Sequence, residues 1–385
     1  MLSKLTKIFL KLIIVIYDKI KIFYKTLFFP IKYFQFNKFE KKKNILIFST
    51  YIIDKNIIPQ NLINSLKIFN DRNFYIILCN DNLLSSTQIK TLKKFVDCLI
   101  VRNNYGRDFG SYKFASLYLK KIFPKTDNSI GNHKIFYMND SFVILKNRFS
   151  NILDKWLQLD EDIIALSDNV KPHYHLQSYF FSVSEKIFLS DSNINFWKNY
   201  FPSSLRQHCI KKGEMSYLNL VEHEEVHVFF NYFNLLEKYK SNPLETKLSR
   251  VYRLDHLSRS FKSKDNFAKL SKEKFYNLYN DLNLFLKQDG NICNIFAQFL
   301  IANQELNFPI VKKDIVYTNQ HHFIEIEKVI NNTPSIEIDD KLEVLYELRK
   351  RDSIENLNFK NIVLYSNFLF YYKKLIRKYI DFVLD

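Results

Sequence analysis

Glycine is scarce, with 5 in a chain of 385 residues. That excludes phosphate-binding turns needing several glycines together, and neither GxGxxG nor GxxxxGK[ST] occurs. Cysteine is equally sparse. Cys79, Cys98, Cys209 and Cys293 stand alone, with no CxxC pair and no disulfide-rich spacing. They read as buried thiols of a reducing cytoplasm. Long apolar runs are missing from the N-terminal segment too. Its longest uncharged stretches, Leu12 to Tyr17 and Thr26 to Ile31, fall far short of the roughly 20 residues that cross a bilayer.

What is present is an ample core and a strong positive charge. Hydrophobic residues make up 47% of the chain and the formal net charge is +17. The first excludes wholesale disorder; the second suggests an anionic partner. Part of that charge belongs to an AT-rich codon usage that also favours Ile, Asn, Phe and Tyr, so its placement matters more than its sum. It gathers at the termini beside apolar surface rather than along a polar groove. Nucleic acid is therefore not the expected partner.

Residues 1–43 read as a basic amphipathic segment. Lys4, Lys11, Asp18, Lys25 and Lys32 recur every seven residues, with Lys7 and Lys21 on the same side. On a helix they draw one polar stripe against Leu, Ile, Phe and Tyr. The expectation is an interfacial helix with its lysines among anionic headgroups; packing on the domain is the alternative. Lys41-Lys42-Lys43 adds a basic hinge. Residues 331–385 read as a linker, a short helix and a second helical tail around Phe368, Phe370, Tyr371 and Tyr372.

Between them, residues 44–330 read as one α/β domain with a mainly parallel sheet flanked by helices. Strands are expected at Asn44 to Tyr51, Phe74 to Leu78, Cys98 to Val101 and Lys134 to Met138. Helices are expected at Ile57 to Phe69 and from a Ser86 cap to about Val96. Ligands of such sheets sit at the carboxyl ends of the strands. There the sequence collects Thr50 and Tyr51, Asp81, Asn103-Asn104 and Asn139-Asp140.

Arg102 to Lys113 is the most unusual segment. Gly106 suits a positive-φ turn, and Asp108 is expected to cap a helix from Phe109 to Phe123 whose N-terminus favours an anion such as diphosphate. Arg107 offers a bidentate phosphate contact; a capped turn with a surface ion pair is the plainer reading. Asp140 interrupts an apolar run, where a carboxylate needs hydrogen bonds or a cation such as Mg²⁺ or Mn²⁺. His173 to Val183 alternates like a strand in its second half, placing His175 and Gln177 on one face for substrate hydrogen bonding or, less simply, a metal. Lys312 or Lys313 is the candidate to return positive charge to a diphosphate.

At Asn104-Tyr105-Gly106-Arg107-Asp108-Phe109-Gly110-Ser111-Tyr112-Lys113, Met138-Asn139-Asp140-Ser141 and His175-Leu176-Gln177-Ser178-Tyr179-Phe180 the chain resembles the rhamnan synthesis protein F family of bacterial polysaccharide glycosyltransferase-like proteins. Gly213-Glu214 and Phe308 to Lys313 are weaker echoes, and the likeness spans Asn44 to Ile315. It implies a GT-A-like fold, a nucleotide-sugar donor such as dTDP-rhamnose and a lipid-linked glycan acceptor. It also implies a peripheral place on the cytoplasmic face of the membrane. Thr50, Tyr51, Asp81, Asn104, Gly106, Arg107, Asp108, Tyr112, Asn139 and Lys312 would then bind the nucleotide sugar, and His175, Gln177 and Ser178 a sugar. Asp140 takes the place of the second acid of a metal-binding DxD. Met138 stands where the first would be, so the literal motif is missing. Glu214 is the expected general base, with Asp168 and Glu222 as rivals.

One further motif competes. His223-Glu224-Glu225-Val226-His227 is a literal HExxH, which on a helix would suit a zinc peptidase with Glu237 or Glu245 as a third ligand. The acidic cluster Glu222, Glu224 and Glu225 suits a solvated helix face instead.

Overall fold

The computed structural model describes residues 4–39, 44–54, 56–123, 133–169, 175–219, 226–232, 234, 235, 238, 293, 296–317 and 323–350. The chain opens with helix α1 (Lys4–Phe28) and strand β1 (Lys32–Gln35). β2 (Ile45–Thr50), α2 (Gln60–Asn70), β3 (Tyr75–Asn80), α3 (Ser86–Leu92), β4 (Cys98–Val101), α4 (Arg107–Ile122) and β5 (Lys134–Asn139) then alternate. After them come β6 (Phe142–Ile144), α5 (Lys146–Gln158), β7 (Ile163–Asn169), β8 (His175–Leu176) and β9 (Phe180–Ser184). Helices α6 (Glu185–Leu189), α7 (Asp191–Asn199) and α8 (Arg206–His208) lead into a π-helical turn, Cys209–Glu214, and α9 (Met215–Asn219). Among the remaining described residues are β10 (Val226–Phe230), α10 (Ala297–Ala302), β11 (Ile310–Lys312), α11 (Asp314–Tyr317), α12 (Phe323–Asn331) and α13 (Ile338–Arg349).

Nine strands form one sheet in the order β1-β4-β3-β2-β5-β9-β7-β10, with β8 paired to β7. The β4-β3-β2-β5 run is parallel. β9 lies antiparallel between β5 and β7, and β10 runs parallel to β7. The fold is thus α/β with a large central sheet flanked by helices, parallel at its centre and mixed toward both edges, since β1 runs antiparallel to β4. Alternate residues of the same strands feed two cores. Leu46, Phe48, Ile76, Leu78, Phe136 and Met138 pack with α2 and α5, while Ile45, Ile47, Tyr75, Ile77, Ile135 and Tyr137 pack with α4 and α7. Burial on both faces is why these strands read as continuous apolar runs. A smaller cluster, including Val143, Val311, Ile326 and Val344, joins the β6–β11 pair to α10, α12 and α13.

Several local expectations shift. α2 begins at Gln60 because Pro59 occupies the preceding turn. Ser85, not Ser86, caps α3: its hydroxyl accepts from the Gln88 amide at 3.2 Å, and the Gln88 side chain accepts from the Ser85 amide at 3.0 Å. That helix ends at Leu92 rather than Val96. The stretch expected as one strand through Val183 is interrupted, with a turn at Ser178 and Tyr179 separating β8 from β9. The basic hinge, Asn242 to Asn280 and the tail beyond 350 lie outside the described residues.

α1 turns its polar stripe inward. Asp18 and Ile22 are buried, Ser203 Oγ donates to Asp18 Oδ2 at 2.6 Å, and Lys25 donates to the Asn104 carbonyl. Of the stripe expected among headgroups, Asp18 and Lys25 dock on the domain, while Lys21 at its margin stays exposed.

Candidate active site

Strand order reverses at β2: the chain moves outward through β3 and β4, then returns to place β5 on β2's other side. A crevice opens outside the carboxyl ends of two parallel strands at such a point, which is where open α/β sheets bind ligands. Asp140 follows β5 there. Its Oδ2 accepts from Thr50 Oγ1 at 3.1 Å and from the Tyr51 amide at 3.0 Å, bridging the ends of β2 and β5. Asp140 Oδ1 has no hydrogen-bond partner among the described residues. Hydrogen bonding thus answers part of the carboxylate's demand and leaves one oxygen toward the crevice rim. The Tyr51 ring is 43% exposed at that rim.

α4 brings a second carboxylate. Gly106 precedes it with φ 78°, and an added Cβ would come within 2.5 Å of the Pro202 Cβ. Only glycine fits both demands. Asp108 is not the cap, because it sits inside the helix that starts at Arg107. Its Oδ2 instead accepts from Asn139 Nδ2 at 2.8 Å. Asn139 Oδ1 in turn accepts from the Ser141 amide at 3.1 Å. Burial pushes the Asp108 carboxyl up to about 6; Asp140 and Glu214 push the same way, while Arg107 and Lys312 oppose them. Three carboxylates and two cations are therefore in electrostatic contact around one helix N-terminus.

Arg107 follows with φ 49°, an unusual conformation for a side chain of its size. Its Nε donates to the Ser204 carbonyl at 3.2 Å, and its two terminal nitrogens have no hydrogen-bond partner among the described residues. Strain of this kind collects at functional sites. Lys312, on β11, donates to Ser141 Oγ at 2.9 Å with its ammonium 4.2 Å from the Tyr179 ring centroid. Lys313 points elsewhere, to Glu347 at 3.4 Å. Of the two lysines considered, Lys312 belongs to this crevice.

Glu214 ends the π-helical turn, a feature frequent at functional sites. Gly213 before it lies against Phe109, where a Cβ would meet the ring at 2.9 Å. Ser178 Oγ donates to Glu214 Oε1 at 2.5 Å, and His175 Nε2 stands 3.7 Å from Oε2. The Gln177 side-chain nitrogen lies 3.1 Å from the same His175 nitrogen. The break between β8 and β9 aims these side chains at Glu214. Its rival Asp168 is buried, accepting from Asn231 Nδ2 at 2.8 Å and the Tyr232 amide at 2.6 Å, so its oxygens serve the fold. Glu222 lies outside the described residues.

Two residues expected at the ligand are engaged by the scaffold. Tyr112 is fully buried and its hydroxyl donates to the Ser178 carbonyl at 3.0 Å, fixing the turn that carries Ser178. Asp81 is engaged by Arg102, with Oδ2 accepting from Nη2 at 2.7 Å and Oδ1 from Ser111 Oγ at 2.8 Å. Arg102 also donates to the carbonyls of Tyr105 (2.6 Å) and Arg107 (2.8 Å), so it pins the whole turn. Sequence reasoning gave Arg102 no role. The available signal was a guanidinium placed directly after an apolar strand, where burial demands partners. Asn104 is exposed on the rim.

The HExxH reading fails on geometry. His227 lies on β10, whose register pairs it with Ile164 of β7, and not on the helix the motif requires. Val226 and Val228 favour that strand. The solvated-helix alternative rests on Glu222, Glu224 and Glu225, which lie outside the described residues. His227 Nδ1 stands 3.7 Å from Glu161. His223, Glu224, Glu237 and Glu245 lie outside the described residues, and no group of three or more metal-ligating side chains occurs among the described ones.

The oxygens of Asp108 and Asp140 suit a hard divalent cation such as Mg²⁺ or Mn²⁺, which binds through one or two carboxylates completed by phosphate oxygens. The α4 N-terminus, Arg107 and Lys312 supply positive charge beside them. All four cysteines are buried thiols outside any disulfide, as the sequence suggested.

No family model matches the chain. It is 29% identical over 170 residues to the virulence protein VirA of Vibrio anguillarum, an alignment covering 43% of this chain and 50% of that protein. The chain spans about half the length of the curated relatives it matches. Among solved structures, it overlaps the glycosyltransferase GlyE of Streptococcus pneumoniae TIGR4 with 14% identity and a TM-score of 0.29, over 59% of this chain and 52% of that one. It overlaps residues 1–349 of S. aureus TarS with 10% identity and a TM-score of 0.31, over 81% and 91%. Overlaps this loose carry no functional argument, which rests on the crevice itself.

Proposed function

We propose that the chain is a glycosyltransferase that moves a sugar from a nucleoside-diphosphate sugar to a glycan hydroxyl. The observation that carries this reading is the meeting of Asp140, Asp108, Arg107 and Lys312 at the β2–β5 switch point. A diphosphate needs that mixture: cations and a helix N-terminus for its oxygens, and carboxylates for the divalent cation that accompanies it. Bound there, Mg²⁺ or Mn²⁺ would neutralise charge on the departing diphosphate. Asp140 and Asp108 would hold it, although Met138 leaves the Asp140 position without a DxD.

Glu214 is the base. The Ser178 hydroxyl fixes one oxygen, and the other receives the proton of the acceptor hydroxyl as its oxygen bonds to the anomeric carbon. The bond from that carbon to the diphosphate breaks, and the electron pair leaves with the nucleoside diphosphate. His175 and Gln177 stand beside Glu214 and orient a sugar by hydrogen bonds. A single displacement assisted by such a base inverts the anomeric carbon.

The resemblance of three segments to the rhamnan synthesis proteins supports a deoxyhexose donor, dTDP-rhamnose first, and a lipid-linked cell-surface glycan as acceptor at the cytoplasmic face of the membrane. The test is release of nucleoside diphosphate from a panel of nucleotide sugars. The reading requires one donor class to turn over and Asp140→Ala to abolish it; turnover unchanged in that variant would defeat it.

A further inference from the structure

α1 has a second face that the crevice does not use. Its inward edge is Asp18, Ile22 and Lys25, and on the opposite side Leu12, Ile16, Ile20, Phe23, Tyr24 and Leu27 are 47% to 70% exposed. At 100° per residue these six form one uninterrupted arc. Exposed Lys19 borders it on one side and exposed Lys21 on the other. A contiguous apolar surface of this kind marks an interaction site.

Charge selects the occupant. Residues 1–39 hold eight lysines and one acid, Asp18, which is buried against Ser203 and the Ser204 amide. A second copy docked face to face would set like charges along both seams with no acid to answer them. An anionic bilayer answers them directly: headgroups meet Lys19 and Lys21 while the arc enters the acyl boundary. No helix among the described residues is long and apolar enough to cross a membrane, so the helix would lie along the surface.

We propose that α1 docks the protein on an anionic lipid bilayer through this arc, while its inner edge stays clamped on the rim of the crevice. The clamp is short. Asp18 holds Ser203 and Ser204; Ser204 accepts from Arg107; Pro202 packs on Gly106; and Lys25 holds the carbonyl of Asn104. Lipid contact at the outer face therefore sets the turn that begins α4. This inference concerns lipid binding and stands whether or not sugar transfer is the reaction.

The test is flotation of the full chain with phosphatidylcholine vesicles, with and without phosphatidylglycerol, alongside hydrogen exchange. The wild-type chain floats with the anionic vesicles. Neutral vesicles, or the double variant Ile20→Glu/Phe23→Glu, reduce binding at least about tenfold, with the melting midpoint unchanged because both side chains are exposed. On anionic vesicles, exchange slows in α1 and also at residues 201–205; in Asp18→Ala it slows in α1 alone. Failure of the wild type to float, or equal flotation of the double variant, overturns docking. A dimer in solution that the double variant dissociates makes a second copy the occupant instead. Unchanged exchange at 201–205 in the wild type overturns the clamp.

Discussion

Asn139 Nδ2 donates to Asp108 Oδ2 at 2.8 Å, tying the last residue of β5 to the first turn of α4 across the switch-point crevice. This bond holds the second carboxylate opposite Asp140, and its consequences are electrostatic. The Asp108 carboxyl is raised to about 6 in the folded protein by burial first, then by Asp140 and Glu214. A raised carboxyl binds its proton more tightly when folded, so stability falls as pH rises from about 4 through about 6.

Asp108→Asn removes that slope. Its Oδ1 still accepts from Asn139, so the variant is expected to melt above the wild type at pH 7 and level with it near pH 4. Thermal melts across that range check the sign. Divalent cation binding by the wild type should weaken below pH 6, as protons compete for the carboxylate, and should be lost in the variant.

Gly106→Ala meets two obstacles at once: a positive φ and the Pro202 atoms within 3.0 Å of its new Cβ. Left-handed backbone alone costs about 1–2 kcal/mol in a residue with a side chain. The clash adds to it, so a loss of roughly 2–4 kcal/mol in denaturant unfolding is expected. Ser204→Ala, whose backbone carbonyl still serves Arg107, should stay within about 0.5 kcal/mol.

Arg102→Ala leaves the Asp81 carboxylate buried without its partner and is expected to cost about 3–5 kcal/mol. Arg102→Lys should recover little of this, because one ammonium cannot serve Asp81 and the Tyr105 and Arg107 carbonyls together. Urea melts of the two variants decide the point.

Glu214→Gln should retain donor binding and lose about 10²–10⁴-fold in turnover, since a general base acts in the transition state. Single-turnover assays at saturating donor separate the two effects. A matched loss in donor affinity would move Glu214 from base to binding group.

Much of this was legible in the sequence, for reasons that differ by element. Ile45 to Phe48 and Tyr75 to Leu78 are buried on both faces, so their apolar runs announce a parallel core without periodicity. Asp140 stood out as a charge in an apolar run, Asp108 as a helix cap and Glu214 through the family resemblance, and the fold brings the three into electrostatic contact. Tyr112 and Asp81 were harder to read because a polar group at a strand or helix end serves a ligand or the scaffold equally well. Only the partner decides, and here the partners are the Ser178 carbonyl and Arg102. His227 misled because HExxH assumes a helix, while pairing with β7 makes a strand of Val226–Phe230. The α1 stripe gave the helix but not its orientation. Seven-residue spacing defines a face, and Ser203, distant in sequence, determines that it turns inward.

The measurement that bears most directly on the central claim is a thermal-shift and calorimetric screen of dTDP-, UDP-, GDP- and CMP-sugars with and without Mn²⁺. The account predicts that one nucleotide class raises the melting midpoint by a few degrees, about what saturating ligand supplies. The shift should grow with Mn²⁺, persist in Glu214→Gln and vanish in Asp140→Ala. A folded protein that responds to no nucleotide sugar, or an Asp140→Ala variant that responds as the wild type does, would contradict it.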